Sequence, residues 1–424
     1  KMVKIQDHLK GIEKSPTLNI NEISADLEDQ GRTVYKFGFG QSPFPVPETV
    51  IDELKKYANE KAYLPVEGLY PLREAVANYY INQENISILP DNVLIGPGSK
   101  ELMFLLQMVL DCTIIFPSPS WVSYEPQSII LNKNYSYLNT SFDNQWKISP
   151  ENLMQKCKEI SGVKLLILNY PGNPTGLSYS TSELEIIADI CRENNTLILS
   201  DEIYGRLHHT NDHQSIAKYF PEGTIITSGL SKWCGAGGWR LGTMIIPNNL
   251  QSVQDSIAAV SSETFSCVAS PIQYAAVAAY SNDEMSDDYL FHSRRILSVI
   301  GNYCFKILND AEVKIHPPEG GFYLFPDFSN HLDFFKLKNI NTSNQFCSQL
   351  LKDTGVALLP GEVFGRPKEE FTARLAYVNF DGTEALRTSK KLMDNDQFNI
   401  EDLDNVVTSL KSGICSVVDW LKSN

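Results

Sequence analysis

The 424-residue chain predicts an α/β protein: a large part with a mostly parallel central sheet covered by helices, and a smaller α+β part. Three observations carry this. From about residue 90 to 245 short apolar runs alternate with helical segments, the pattern of strands buried on both faces. Each run ends in unusual polar or aromatic residues, and ligands of open parallel sheets collect outside the carboxyl ends of the strands. After about residue 310 the runs become shorter and more mixed. The length exceeds one simple core and predicts two domains, with room for them to interleave.

Residues 1 to 47 read as irregular and end in Phe37-Gly38-Phe39-Gly40-Gln41-Ser42-Pro43-Phe44-Pro45, a loop shaped by glycine and proline. A helix is predicted over 47 to about 60, then a rigid loop at 63–71 and a helix from 73 to 80. The strand at 92–95 runs through Gly96-Pro97-Gly98-Ser99-Lys100 into an apolar helix at 101–110. A second strand at 114–116 closes on Pro117-Ser118-Pro119-Ser120-Trp121. A third, 163–168, closes on Asn169-Tyr170-Pro171-Gly172-Asn173-Pro174-Thr175-Gly176.

Ser180 and Glu183 form a capping-box signature for the next helix, whose Leu184, Ile187, Ala188 and Cys191 share one face. The fourth strand, 197–199, ends in Ser200-Asp201-Glu202-Ile203-Tyr204. Ile225 and Ile226 belong to the fifth, which gives out at Ser228-Gly229-Leu230-Ser231-Lys232 before a glycine-rich loop and Arg240. Beyond 250 the chain turns helical, with an apolar-periodic segment at 273–280. The acidic run 283–288 marks a boundary or a turn. Short segments at 313–315, 321–325, 356–359 and 374–378 make up the α+β part, and the tail from 383 holds at least one amphipathic helix.

Bulk properties exclude some functions. With 36 basic and 51 acidic residues the net charge is −15, which disfavours nonspecific binding to nucleic acid or anionic membrane. No run reaches the roughly 20 apolar residues of a membrane span. Lys1-Met2-Val3-Lys4-Ile5 carries no apolar signal core. The eight cysteines include no CxxC pair, and are expected to be buried free thiols of a reducing, cytoplasmic compartment. No metal site is predicted.

A lysine placed where a buried strand gives out is costly unless it is paired, neutralised or covalently used. Lys232 and Arg240 on a flexible loop therefore point to an anionic ligand with an electrophilic centre. The other strand ends add Ser99, Lys100, Trp121, Asn173, Asp201, Tyr204 and Ser231 to this set. Taken singly, Asp201 reads more often as a helix N-cap and Asn173 equally as a turn former, while a core position is the lesser reading of Trp121.

Together these motifs resemble a class I aminotransferase of the pyridoxal-phosphate fold-type I group. Residues 229–242 fit the family's lysine-attachment pattern at every specified position. Asn173-Pro174-Thr175-Gly176 and Asp201-Glu202-Ile203-Tyr204 follow the family order, and the resemblance spans residues 15–382. It implies a large cofactor-binding domain at 48–290 and a small domain from 1–47 and 291–424.

The resemblance also implies roles. Lys232 takes the aldehyde of pyridoxal 5'-phosphate as a Schiff base and carries the proton, while Asp201 keeps the pyridine nitrogen protonated. Tyr204 and Asn173 donate to the phenolic oxygen, and Trp121 stacks on the ring. Ser99, Lys100, Ser231 and Arg240 form the phosphate site, with the Lys100 side chain free to point elsewhere. The Ser-Lys order there is not that of a Walker loop. Gly229 stands where some relatives place a phosphate-reaching serine, leaving Ser228 as a substitute. Arg374 and Gly40 take the substrate α-carboxylate, bordered by Trp121 and Asn173. Tyr63 is expected to reach the neighbouring subunit's phosphate site in a homodimer.

The implied activity is ping-pong exchange of an amino group between an L-amino acid and a 2-oxo acid. Trp121-Val122-Ser123-Tyr124 and Lys14-Ser15-Pro16-Thr17 look like aspartate-type and broad-specificity members, with Lys14 or Lys100 as candidates for a second carboxylate. An aromatic-preferring enzyme and a lyase or cyclase on the same scaffold stay open. A cofactor-sensing regulator is disfavoured by the acidic charge and by the lack of room for a DNA-binding module before residue 15.

Overall fold

The computed structural model describes residues 3–394 and 396–423; Lys1 and Met2, part of the stretch read for a signal core, lie outside them. The strands in chain order are β1 Tyr35–Lys36, β2 Val93–Gly96, β3 Thr113–Ser118, β4 Tyr135–Asn139, β5 Lys164–Asn169 and β6 Thr196–Asp201. They continue as β7 Thr224–Gly229, β8 Gly242–Ile245, β9 Tyr323–Leu324, β10 Val356–Ala357, β11 Leu359–Pro360 and β12 Ala373–Ala376. Seven of them form the central sheet in the order β2-β8-β7-β6-β5-β3-β4, parallel except for β8, which runs antiparallel to β2 and β7.

Alternation along β5 and β6 explains why this sheet is covered on both sides. Leu165, Ile167 and Leu199 pack on one face with Leu102, Leu105 and Leu106 of the helix Ser99–Val109. Leu166, Leu168 and Ile198 pack on the other with Leu184, Ile187, Ala188 and Cys191 of the helix Thr181–Glu193. That second helix opens with the expected capping box: Ser180 accepts from the Glu183 amide, and Glu183 accepts from the Ser180 amide. Each such cap contributes about 1 kcal/mol.

Two smaller sheets complete the fold. Strand β1 pairs in parallel with β10, and β12 lies between β11 and β9, antiparallel to both. The first strand of the chain is thus joined to segments more than 300 residues away. All eight cysteines are free; six are buried, Cys267 is half-buried and Cys415 exposed. No helix among the described residues is long and apolar enough to cross a membrane.

Several expectations are corrected. Residues 1 to 47 are not wholly irregular, because Pro16–Asp29 is a helix with Pro16 at its first position. Only Ser24 of it is buried, so there is no apolar stripe to read. The helix expected to reach residue 60 stops at Lys56. The acidic run at 283–288 is neither boundary nor turn: it opens the 28-residue helix Asp283–Asp310, capped by the Asn282 side chain. Carboxylates there complement the positive end of the helix dipole. Strands β4 and β8 were not foreseen, and the segment 313–315 contributes only a bridge between Lys314 and Asp327.

Strand β8 controls the neighbourhood of the strand ends. Gly242 stands opposite Gly96 of β2 and Gly229 of β7, and a Cβ built on it would lie 2.3 Å from the backbone of both Gly98 and Ser99. Nothing there is a flexible side-chain end that could yield. Gly242→Ala is expected to displace the start of the helix Ser99–Val109 and to destabilise the protein by about 1–3 kcal/mol. A lowered urea midpoint checks this, whereas an unchanged midpoint would show that the backbone there is soft.

Candidate active site

A cavity of about 550 Å³ lies at the carboxyl edge of the central sheet. Strand register sets its floor: Asn169 of β5 stands beside Asp201 of β6, and Asp201 beside Thr227 of β7. Beyond those ends the chain turns over the edge and delivers Asn173, Tyr204, Ser231 and Lys232. Ser99, Lys100, Trp121, Arg240, Gly40 and Arg374 also border the space. Of the residues assigned to the site from sequence only Tyr63 is elsewhere, 88% exposed on the surface.

Lys232 Nζ donates to the Gly40 carbonyl at 2.7 Å, its one hydrogen bond among the described residues. It forms no ion pair with Asp201. The side chain reaches only into the cavity, and this enclosure, with the cations of Arg374, Arg240 and Lys100 nearby, brings its pKa down to about 7. Asp201 shifts the other way. Burial lifts its carboxyl to about 6, opposed by the Tyr124 hydroxyl, which donates to Oδ2 at 2.7 Å, and by the Ile203 amide. Asn169 ties the edge together, donating to the Asp201 carbonyl at 2.9 Å and accepting from the Asn173 amide at 2.7 Å.

Arg374, on β12, has no exposed surface. Its Nη1 donates to Asn173 Oδ1 at 3.0 Å and its Nη2 to the Gly38 carbonyl at 2.6 Å, while Nε is buried without a partner. Burial lowers its pKa. Such a preset guanidinium has remaining N–H groups suited to a carboxylate. Beside it the Tyr204 and Tyr323 hydroxyls are hydrogen-bonded at 2.9 Å.

The other end of the cavity suits an anion. The first-turn amides of a helix have no intrahelical acceptor, and this helix starts at Ser99. Gly98 sits at φ +91°, and a Cβ there would lie 2.2 Å from Arg240 Nη2, so only glycine lets this guanidinium cover the helix start. Lys100 Nζ is 5.0 Å from the centre of the Trp121 ring, and its pKa is lowered by burial and by Arg240. Its side chain therefore borders the same space and does not point away. Free amides, two cations, a nucleophilic amine and a buried carboxyl fit an aromatic aldehyde that carries a phosphate and a basic ring nitrogen.

Two alternatives raised from sequence fall away. Ser228 faces the opposite side of β7, toward a separate small cavity with Arg206, His213 and Trp233. No serine could stand at 229 in this backbone, because a Cβ there would lie 2.5 Å from the Leu241 carbonyl. Lys14 is exposed and pairs with Glu22 at 3.3 Å. Sequence reasoning gave no site role to Tyr323 and Leu18, nor to Tyr124, Ser15 and Thr17, which it read only within family-like stretches; Tyr323, Ser15, Thr17 and Leu18 border the cavity and Tyr124 donates to Asp201. Tyr124 lies three residues beyond Trp121, at the start of the helix Tyr124–Ile130, and this spacing was the available signal for it. Tyr323 becomes visible only when β9 is placed.

A family model described as aminotransferase class I and II matches residues 32–384. The aspartate aminotransferase of Geobacillus stearothermophilus is 32% identical over 91% of this chain and 97% of its own length. That of Bacillus subtilis (strain 168) is 30% identical over 88% of this chain and 94% of its own. Among solved structures, the aspartate aminotransferase of Thermus thermophilus with maleate superposes with a TM-score of 0.82 at 26% identity, covering 92% of this chain and 99% of that one.

The Lys232 amine gives a direct test of the electrostatics. It is charged below about pH 7 and neutral above, whereas an ordinary lysine needs pH above 10 to lose its proton. Trapping by an aryl aldehyde and borohydride is expected to rise to a plateau just above pH 7, with the label at Lys232 by peptide mass. A rise centred near pH 10 would refute the lowered pKa.

Proposed function

Because the chain belongs to the aminotransferase class I and II family, we propose that it exchanges the amino group of an acidic L-amino acid with a 2-oxo acid, using pyridoxal phosphate. The enzyme is an aminotransferase. The observation that carries it is the unpaired Lys232 amine with a pKa of about 7, facing a buried acid and an anion cradle in one cavity.

When bound, pyridoxal phosphate supplies an aldehyde for the amine and a protonated ring that accepts electrons from the bond being broken. The first-turn amides at Ser99, the Ser231 hydroxyl and the Arg240 guanidinium would hold its phosphate. Asp201 would keep a proton at the ring nitrogen, and the Tyr124 hydrogen bond favours the ionised carboxylate that this requires. Trp121 would cover a ring face, and Tyr204 and Asn173 would offer hydrogen-bond donors to the phenolic oxygen. Lys232 Nζ is the amine that would bind the aldehyde, and as a free amine it would take up the proton leaving the substrate α-carbon. A pKa near neutrality suits both tasks. Arg374 would bind the α-carboxylate, and the Gly40 backbone amide would face the same group.

For the second carboxylate, Lys100 is favoured: its Nζ has no acceptor among the described residues and borders the cavity, which Ser15 and Thr17 also line. Maleate, the ligand named for the Thermus thermophilus relative, is itself a dicarboxylate. The exposure of Tyr63 supports a homodimer in which this residue completes a neighbouring site. Free, mostly buried thiols support a reducing compartment such as the cytoplasm.

The test is a panel of amino donors against 2-oxoglutarate with the cofactor-loaded protein. Aspartate is expected to turn over, and Lys232→Ala to hold no covalent cofactor and to exchange nothing. Lys100→Ala should lower kcat/KM for aspartate about tenfold or more and leave alanine within about twofold, the scale of one charged hydrogen bond. Release of ammonia without acceptor-dependent turnover would sink the exchange reading. Equal losses for both donors would sink the Lys100 assignment.

A further inference from the structure

We infer that Tyr323 is a positioning residue for the amino-transfer reaction, whose hydroxyl donates to Tyr204 and so leaves the Tyr204 proton free to point into the cavity. This rests on the aminotransferase reading above and adds to it a residue that neither the strand-end motifs nor the roles proposed above include.

The two hydroxyls are 2.9 Å apart and both rings are buried, with Tyr323 1% and Tyr204 3% exposed. A phenol has one proton to donate and lone pairs to accept with. A pair that shares one hydrogen bond therefore has one spare proton, and its location depends on which phenol donates. The surroundings decide this. The Tyr323 hydroxyl has no hydrogen-bond partner other than Tyr204 among the described residues, while Tyr204 also lines the cavity, where the cofactor's phenolic oxygen would be the better acceptor for its one proton. Tyr323 therefore gives its proton to the Tyr204 oxygen. The Tyr204 proton is then the spare one.

The fold holds Tyr323 in that position from several sides. Its strand β9 pairs with β12, the strand that carries Arg374, with Tyr323 opposite Ala376. Gly176 leaves room for the Tyr323 carbonyl, which would lie 2.1 Å from a Cβ there. Gly40 does the same for the hydroxyl: a Cβ on Gly40 would lie 1.9 Å from the Tyr323 oxygen. The absence of a side chain at Gly40 thus has a second consequence, since the residue whose carbonyl binds Lys232 also makes space for the hydroxyl that orients Tyr204.

The consequence is measurable in the cofactor-loaded protein. A hydrogen bond from Tyr204 to the phenolic oxygen stabilises the unprotonated form of the Lys232-bound cofactor, and donation from Tyr323 strengthens Tyr204 as a donor. Tyr323→Phe removes one oxygen and keeps the ring. It is expected to retain the cofactor and to move the pH midpoint of the visible absorption band upward by about half a unit to one unit. In a Tyr204→Phe background the same substitution should produce no further shift.

An unchanged or lowered midpoint in Tyr323→Phe would overturn the inference. So would a shift of equal size in the Tyr204→Phe background, or loss of cofactor binding in the single variant. Failure of the underlying reading looks different, because the wild-type protein would then develop no titrating visible band.

Discussion

An amine and a carboxyl share one cavity here without forming an ion pair, and much of the surrounding structure follows from keeping them apart. Paired, each would be locked in its charged state, with the carboxyl pKa lowered and the amine pKa raised. The protein instead gives each a neutral partner. Lys232 donates to a backbone carbonyl at Gly40, and Asp201 accepts from the phenol of Tyr124. Three cations around the amine, Arg374, Arg240 and Lys100, then favour its unprotonated form. The parallel sheet makes this possible, because its register holds Asp201 at the floor while the chain after β7 lifts Lys232 over the edge.

Close approach is the second requirement, and glycine meets it at the positions where backbone must touch a charged group. Gly98 allows Arg240 onto a helix start, and Gly242 allows that helix start onto the sheet. These contacts hold the anion end of the cavity at a fixed distance from the amine end. A ligand with a phosphate at one end and an aldehyde at the other, as proposed for this site, would thereby be measured against the scaffold and not against mobile side chains.

Much of this was legible in the sequence, and the reason is local. Lys232, Asp201, Asn173 and Ser99 each lie within a few residues of a strand end, so an apolar run followed by an odd polar residue is enough to mark them. What escaped depends on distant segments meeting. Tyr323 and Tyr124 act on residues 119 and 77 positions away, and no spacing along the chain encodes that. Lys14 looked as plausible as Lys100 in the sequence, but it is committed to Glu22 on a helix that hides almost none of its surface. Ser228 failed for a simpler reason: neighbouring residues of a strand face opposite sides. Strands β4 and β8 escaped because one is half-buried at an edge and the other follows a loop of glycines.

The pairing of β1 with β10 bears on how the protein is made. A chain emerging from the ribosome carries the Gly38–Gly40 loop almost from the start, and domains tend to fold in the order in which they emerge. Yet that loop has no strand to anchor it until residues 356–357 appear, and Arg374, which binds the Gly38 carbonyl, arrives later still. Contacts of such long sequence separation form slowly. Until then the Lys232 amine lacks the enclosure and the guanidinium that lower its basicity, and it behaves as an ordinary lysine. The amine becomes a nucleophile at neutral pH only when the last quarter of the polypeptide has folded back onto the first tenth.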